Sequence, residues 1–502
     1  MYIFFPGQLL LSFSLGVTLF ILLMIELLIT RLRENTAMHD FLKSELVLAH
    51  CSVMLFNITN VEEFRTGKDK KLRVEEVGPF TYQEVRRNLD IQFDYEADLL
   101  RYTPNISLRF LPEESIARPE DINITMPSIP MLVSPYPIQY GPTDGYGYIL
   151  AKTFNVLAGG LDSKAIVSMD AAQYMWGYQE PIVAIAHTLI PGTIPFESMG
   201  IVDKVRLLYE EQNYLEVSLK DDEKFMIKSR NGYKKLAMSD HGNPEECTFE
   251  NTYEGMVYPS GITPDFPLRL FRNGLCKVLD MKFNGTKITD YGGEALVYHV
   301  DNKFYISEPN QTSSAIILLP DCYYGMPLAL SNAHFLDADP KLYERIDGMH
   351  PDEKYRGRIT IDPVIGIEIE TVITLQMNLV LKDVSHNSEA AMFSNMIIPI
   401  CYVTIVSIYE FVLPFHLRYY YMHLFIMFLS FQRQPPLSDI NASSQIHLYQ
   451  TWPKALLGIQ IIVCLSTIAS WIYFSMLLYR LCAFTDESED NNLSSPKAGG
   501  KC

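Results

Sequence analysis

Hydrophobic residues form two runs without a charged side chain, Met1 to Ile25 and Ala455 to Tyr479, one near each end of the chain. A helix that crosses the hydrocarbon core of a bilayer needs roughly 20 apolar residues, and both runs reach that length. The first run has neither the basic start nor the small-residue cleavage site of a secretory signal peptide, which favours a retained anchor. We therefore expect one transmembrane helix within residues 1–30 and another within residues 454–480.

Potential N-glycosylation sites indicate on which side of the membrane the intervening residues 31–453 lie. Six Asn-x-Ser/Thr triplets occur between the two runs, at Asn57, Asn105, Asn123, Asn284, Asn310 and Asn441. Because sugar is attached in the secretory pathway, this distribution predicts an extracellular or lumenal domain and two cytosolic tails, the second comprising residues 481–502. Arg31 and Arg33 oppose this orientation, but the positive-inside rule weakens when the translocated segment is long.

The dominant pattern between the two runs is that of β-strands separated by Gly, Pro, Asn and Asp. The segments richest in β-branched and aromatic residues are Leu72 to Glu84, Leu215 to Lys220, Leu296 to Ser307 and Arg358 to Leu381. From about residue 147 to 211, apolar residues instead recur at helical spacing. Helices are predicted there over Ala151 to Leu157, Ser168 to Gly177 and Met199 to Glu211. No repeat of fixed period occurs, so we expect one β-rich domain with a helical insertion.

Charge and motifs narrow the class of function. The formal net charge of −18 and the lack of a basic, aromatic-rich stripe argue against nucleic-acid binding. The sequence contains no phosphate-binding Gly-rich loop, His-Glu-x-x-His, Cys-x-x-Cys or Gly-x-Ser-x-Gly motif. We therefore expect no catalytic residue, no metal site and no cofactor, and do not predict an enzyme.

Three stretches of sequence resemble the class B scavenger receptor family. They are NITNVEEFRTGKDKKLRVEEVGPFTYQE from Asn57 to Glu84, MWGYQEP from Met175 to Pro181, and HFLDADPKLYERIDGMHPDEKYRGRITIDPVIGIEIETVITLQMNLVLKD from His334 to Asp383. The family includes the fatty-acid translocase, the high-density-lipoprotein receptor, a lysosomal integral membrane protein and insect sensory neuron membrane proteins. The resemblance implies an α+β membrane protein with a large antiparallel β-barrel, a membrane-distal helical apex over about residues 147–211, and an apolar tunnel. One transmembrane helix near each terminus would anchor it.

The resemblance also assigns roles to individual residues. Cys276 and Cys322 match the half-cystines of a family disulfide. Cys247 matches another half-cystine of the family, but its usual partner is not found in this sequence. Pairing with Cys51, pairing with Cys401 and a free thiol are the three alternatives for Cys247.

Ligand-binding residues are predicted at two places. Lys164, and with it Lys152, lies near the position of the apical lysines that recruit anionic ligands in the family, although the apex of this chain is not strongly basic. In the strand around residue 368, Ile367 and Ile369 are expected on the face that lines the barrel, with Glu368 on the opposite face. Ordinary core packing is the alternative for both isoleucines.

Two functions fit this sequence. The first is a cell-surface receptor that binds fatty acids, sterols, carotenoids, lipoprotein lipid or lipid pheromones and passes them through the tunnel to the membrane. The second is a receptor that docks proteins or particles at its apex, for phagocytic uptake or lysosomal enzyme trafficking. Lipids or lipoprotein particles and the membrane are the expected partners, with protein ligands or coreceptors as further candidates. The tail lacks an acidic dileucine signal, which favours the plasma membrane over lysosomal or endosomal membranes.

The second cytosolic tail carries a candidate modification site. Cys482 lies two residues beyond Arg480 and is therefore close enough to the bilayer for S-acylation. A free thiol is the alternative, and an acyl-exchange assay on Cys482→Ser distinguishes the two.

The predicted topology is tested by glycopeptide mapping of the protein from a eukaryotic cell. The six asparagines between the two runs are expected to be accessible to the glycosylation machinery, whereas Asn492 in the second tail is expected to carry no sugar. Sugar on Asn492, or on none of the six, would overturn the orientation.

Overall fold

Strands are the main regular elements of the chain between the two apolar runs, as its β-branched and aromatic segments predict. The computed structural model describes residues 32–34, 36–133, 156, 158–189, 196–204, 214–235, 248–272, 277–288, 293–301, 315–319, 323, 326–363, 366–385 and 387–408. No helix within these ranges is long and apolar enough to cross a membrane. The predicted anchors lie outside the described residues.

The elements are as follows. The strands are β1 Leu46–Ile58, β2 Leu72–Asp94, β3 Leu99–Phe110, β4 Asn123–Pro127, β5 Ile166–Asp170, β6 Leu215–Ser218, β7 Ile227–Arg230, β8 Thr252–Tyr253, β9 Leu268–Arg272, β10 Lys277–Ile288, β11 Glu294–Val300, β12 Ile316–Leu318, β13 Leu328–Asn332, β14 Ile346–Asp347, β15 Arg358–Asp362, β16 Ile367–Val380 and β17 Ile397–Ile408. The helices are α1 Ala37–Lys43, α2 Val61–Arg65, α3 Ile129–Val133, α4 Ala171–Trp176 and α5 Pro181–Leu189.

Fifteen of the strands belong to one sheet. Its main path runs β7-β6-β3-β2-β1-β17-β16-β15-β11-β10-β9-β8, and neighbours are antiparallel except for the parallel pair β8–β9. The two ends of this path approach each other, because Lys235 beyond β7 bridges to Thr248 before β8, and Arg230 lies over the ring of Phe271 on β9. The sheet is therefore a large, nearly closed, barrel-like wall, which confirms the mostly-β part of the predicted fold.

The longest strands lie at the middle of the path. β1 pairs with β2 from Leu46 opposite Arg86 to Ile58 opposite Val74, with irregularities where the register shifts. At one of these shifts stands Gly78, whose φ of 145° and close contact with β1 exclude a side chain, since a Cβ would lie 2.7 Å from the carbonyl oxygen of Val53.

A long connecting segment covers one face of the sheet. β13 and β15 both pair with the same edge of β16. The chain between them, residues 333–357, extends to β2, where its strand β14 pairs with Leu72 and Arg73. We call residues 333–357 the cover segment. It buries one side of the apolar core, including Phe335 and Ile346, against the sheet.

The part of the chain that was predicted to form the apex combines strands and helices. Ser168 to Asp170, predicted as helical, instead belong to β5, which pairs with β4. The helix α4 begins only at Ala171, because the side chain of Asp170 caps it by accepting a hydrogen bond from the backbone N–H of Gln173 at 2.8 Å. Trp176 then ties the apex to the sheet: its Nε1–H donates to the hydroxyl of Tyr82 on β2 at 2.9 Å. The predicted helices over 151–157 and 199–211 lie largely outside the described residues.

Candidate functional site

Ionisable side chains from several strands meet on one face of the large sheet. Side chains alternate along a strand, so Tyr82, Glu84 and Arg86 of β2 share a face with Cys51 of β1, which is paired with Tyr82. We call this the inner face, because its side chains reach residues at the far end of the strand order. The residues that meet there form the interior polar cluster: Cys51, Glu84, Arg86, Tyr102, Glu254, Tyr258, Arg272, Glu368, Thr371 and Ser407.

One part of the cluster connects β2 and β3 to the residue that follows β8, at the far end of the strand path. The side chain of Arg86 is only 2% exposed. Its Nη2 donates a hydrogen bond of 2.9 Å to Oε2 of Glu254, the residue directly after β8. The hydroxyl of Tyr102 on β3 donates a short hydrogen bond to the same oxygen, and Arg86 stacks over the Tyr102 ring at 5.6 Å. Burial, reinforced by the Glu254 carboxylate, raises the pKa of Tyr102 well above its ordinary value, so this phenol stays a proton donor.

A second part surrounds a fully buried carboxyl group on β16. Glu368 accepts hydrogen bonds from Thr371, from Ser407 at 3.1 Å and from Tyr258 at 3.4 Å. Burial raises the pKa of Glu368, and the nearby guanidinium of Arg272 opposes that shift. Gly255 lies beside this group at φ 95°, a backbone conformation that residues with a side chain rarely adopt, and a Cβ there would make ordinary van der Waals contact with Arg272 and Glu368.

The third part is a carboxylate whose hydrogen bonding is incomplete. Glu84 is 8% exposed, and Nη1 of Arg272 lies 4.0 Å from its Oε1, beyond hydrogen-bond distance. Within the described chain, Oε1 accepts no hydrogen bond, while Oε2 accepts a weak one from the Sγ of Cys51 at 3.8 Å. Burial and then Glu84 raise the pKa of the Cys51 thiol well above its usual value, so this cysteine is a poor nucleophile.

This arrangement holds and orients polar groups. Within the described ranges, hydroxyl and guanidinium donors bond the carboxyl groups of Glu254 and Glu368, but not that of Glu84. Of the residues that the structure describes, no group of three His, Cys, Asp or Glu is positioned to hold a metal ion. The interior polar cluster is thus a candidate binding site for a polar group inside an otherwise apolar enclosure.

The residues predicted from sequence lie elsewhere or beside this cluster. Lys164 is exposed at the apex, where it forms an ion pair with Asp162 at 3.0 Å, and it does not belong to the interior polar cluster. Several predicted residues lie outside the described ranges: Lys152, Cys276, Cys322, Asn310, Asn441 and Cys482. Cys51 and Cys401 are both buried, free thiols.

The β16 residues are rearranged by an irregularity in pairing. Thr360 of β15 is opposite Glu370 and Ile361 is opposite Glu368, so Ile369 is an extra residue in β16. Ile367 is buried and Ile369 half-buried. The bulge also brings Glu368 into the interior polar cluster, which strict alternation from the sequence did not predict. The lining role of Ile367 and Ile369 stays a prediction.

Sequence reasoning also missed Glu84 and Arg86. With Asn88 they occupy alternate positions of β2 and are buried, but the neighbouring Gln83 and Arg87 are polar as well, so the sequence alone does not mark the inner face. Glu254 gave no signal either, since it follows a strand of only two residues.

The predicted glycosylation sites differ in accessibility. Asn105, Asn123 and Asn284 are exposed on β3, β4 and β10. Asn57 is half-buried on β1, and its Oδ1 accepts the backbone N–H of Thr125 at 2.7 Å. That bond leaves Nδ2, the nitrogen that carries a glycan, uninvolved. Modification at all four remains a prediction.

A buried histidine of the cover segment, His334, packs on the opposite face of the sheet. The Nδ1 of His334 accepts the backbone N–H of His350 at 3.1 Å, so the hydrogen of the neutral ring is on Nε2, which lies 3.0 Å from Oε1 of Glu76. The ring stacks on Tyr355 with centroids 4.7 Å apart. Burial lowers the pKa of His334; Glu76 opposes this shift, while His350 and Lys354 reinforce it. His334 thus has a structural role in the neutral form.

The fold and the interior polar cluster define the class of protein: a mostly-β, barrel-like wall with an enclosed polar centre. The chain belongs to the CD36 family, whose family model matches residues 7–433. It is 26% identical to human lysosome membrane protein 2 over 389 residues, 74% of this chain and 77% of that protein. It is 26% identical to rat scavenger receptor class B member 1 over 369 residues, 70% of this chain and 69% of that protein. These similarities confirm the resemblance found in the sequence.

The link between β2 and the residue that follows β8 is tested by a double-mutant cycle on Arg86 and Glu254. Arg86→Met leaves a buried carboxylate without its cation, so we expect a loss of about 3 kcal/mol in the free energy of unfolding. Arg86→Met combined with Glu254→Met removes both charges and is expected to be less destabilised than the sum of the single variants. Additive losses in denaturant titrations would show that the two side chains do not interact.

The buried histidine predicts a loss of stability on acidification. Because the pKa of His334 is lowered from 6.5 in the folded protein, the unfolded chain binds the additional proton first as the pH falls. His334 therefore costs no stability above about pH 6.5 and lowers it progressively below, by at most about 1.4 kcal/mol per pH unit. We expect His334→Asn to reduce the dependence of Tm on pH between about pH 7.5 and 5.5. An unchanged pH dependence would contradict this assignment, even if Tm were lower at every pH.

Proposed function

We propose that this protein is a membrane-anchored receptor that binds hydrophobic ligands and passes them through the interior of its barrel-like sheet to the membrane. Membership of the CD36 family and similarity to a protein named scavenger receptor class B member 1 support a receptor of this class. Fatty acids, sterols, carotenoids, lipoprotein lipid and lipid pheromones are the candidate ligands, and no enzymatic step is needed.

The observation that carries the proposal is the ion pair on the inner face between Arg86, on β2 in the middle of the strand path, and Glu254, directly after β8 at its end. A contact between strands so far apart in the order supports an enclosed interior. Apolar side chains line the same face beside them: Ile405 is half-buried and paired with Cys51. A lipid chain in such an enclosure avoids a transfer cost of about 0.8 kcal/mol per CH₂ group in water.

Anchoring and orientation are parts of the same proposal. The apolar runs near both termini would hold the β-rich domain at the bilayer, with both tails in the cytosol. The exposure of Asn105, Asn123 and Asn284 supports an extracellular or lumenal location for that domain. We propose the plasma membrane, and the similarity to lysosome membrane protein 2 keeps lysosomal or endosomal membranes as the alternative.

Docking of a protein or particle at the apex is the second candidate function. It is favoured by two exposed side chains there, Val156 at 78% and Lys164 at 57%. Docking and transport make different demands on the interior of the sheet, since only transport requires that lipid pass through it.

A matched pair of neighbouring substitutions on β17 separates transport from docking. Ile405 lies on the inner face, whereas Val406 is paired with His50 on the opposite face, where His50 contacts the exposed Glu114. Ile405→Trp is expected to reduce lipid uptake by cells severalfold while ligand capture at the surface is retained, because the larger ring obstructs the interior. Val406→Trp is the control and is expected to leave both unchanged.

Surface display of each variant is measured first, so that a folding defect is recognised. Normal uptake in a well-displayed Ile405→Trp variant would overturn the transport proposal and favour docking. The same assay on Ile367→Trp and Ile369→Trp tests the lining role predicted for those two residues.

A further inference from the structure

The interior polar cluster contains one acceptor whose bonding requirement the described protein groups do not meet. Glu254 and Glu368 each accept at least two hydrogen bonds. Oε1 of Glu84 is buried and accepts none among the described residues. Buried carboxylate oxygens are normally paired, so this atom marks a place where a donor from outside the protein can bind.

The geometry around Glu84 restricts that donor. Nη1 of Arg272, itself a donor, lies 4.0 Å from Oε1 of Glu84. One oxygen atom can bridge such a pair with two hydrogen bonds of ordinary length, about 2.8 Å each. That oxygen must accept from the guanidinium and donate to the carboxylate, and a hydroxyl group does both.

Charge restricts the ligand further. The cluster combines two guanidinium groups, Arg86 and Arg272, with three carboxyl groups, Glu84, Glu254 and Glu368. It therefore holds no excess of positive charge with which to attract the carboxylate of a fatty acid, and a second anion next to Glu84 would be repelled. An uncharged hydroxyl avoids that repulsion.

Apolar residues lie on the same face as Glu84. Cys51, which contacts Glu84, is paired with Ile405 on β17, and Ile405 is paired with Ile373 on β16. These residues share the inner face, so an alkyl chain can lie along them while its hydroxyl reaches Glu84 and Arg272.

We propose that Glu84 and Arg272 form a subsite for the hydroxyl group of an uncharged lipid, which distinguishes lipid alcohols from the corresponding ethers and fatty-acid anions. This inference rests on the proposed function, because it assumes that lipids occupy the interior. It adds the chemical class of headgroup that the interior prefers.

The test uses full-length protein in lipid nanodiscs and three probes with the same chain length: hexadecan-1-ol, its methyl ether and hexadecanoate. The alcohol can donate to Glu84, whereas the ether can only accept. We expect the wild-type protein to bind the alcohol about tenfold more tightly than the ether, as for a hydrogen bond to a charged group. We expect the anion to bind more weakly than the alcohol.

Substitutions assign the preference to Glu84. Glu84→Leu is expected to weaken binding of the alcohol to the level of the ether without changing binding of the ether. Glu84→Gln keeps the size and one acceptor oxygen, and it is expected to retain part of the preference. Gln83→Leu, the neighbouring position on the opposite face of β2, is the matched control and is expected to keep the full preference.

The outcomes separate this inference from the function on which it rests. Equal affinity of the wild-type protein for alcohol and ether, stronger binding of the anion, or an undiminished preference in both Glu84 variants would overturn the hydroxyl subsite alone. Binding of none of the three probes by the wild-type protein would overturn the subsite together with the proposed lipid transport.

Discussion

The ion pair between Arg86 and Glu254 is the interaction on which the enclosed interior depends. It joins β2, in the middle of the strand path, to the residue that follows β8 at its end, and Tyr102 on β3 strengthens it. Replacing such a pair by apolar groups often costs nothing, so stability alone does not account for it. Its geometry does fix which strands face each other across the interior, a role in registry for which buried polar groups are well suited.

The two faces of the sheet solve the problem of buried polar groups differently. Where the cover segment meets the sheet, its residue His334 remains neutral and Gln376 of the sheet accepts the backbone N–H of His334 at 2.7 Å. On the same face, Tyr402 donates to Glu76 at 2.6 Å. Charge is thus concentrated at one carboxylate. The inner face instead retains two guanidinium groups and several carboxyl groups. Neutral, hydrogen-bonded side chains are sufficient for packing. Burying charged groups costs more free energy, so the ionic inner face is the better candidate for ligand binding.

The sequence predicted the parts of the fold that depend on local pattern. The strands around Leu72 and Arg358 follow from their β-branched and aromatic residues, and the family motifs indicated a barrel. The strand over Ser168 to Asp170 was mistaken for a helix because its pairing with β4, some 40 residues earlier in the chain, outweighs a short helical spacing. The bulge at Ile369 could not be predicted from the sequence either, since it depends on the register in which β15 pairs with β16.

The candidate site was less predictable than the fold for the same reason. Glu84 and Arg86 share one face of β2, but Glu254 is 168 residues away from Arg86 in the chain, and only closure of the sheet brings Arg86 and Glu254 together. Burial raises the pKa of Glu368, while Arg272 and the hydroxyl donors around it oppose that shift. The cluster has strong local fields, because an enclosed site is screened less than the surface. The interior polar cluster can therefore discriminate between lipids by the hydrogen bonding of their headgroups, whereas the apolar side chains around it can discriminate only by the size of the lipid.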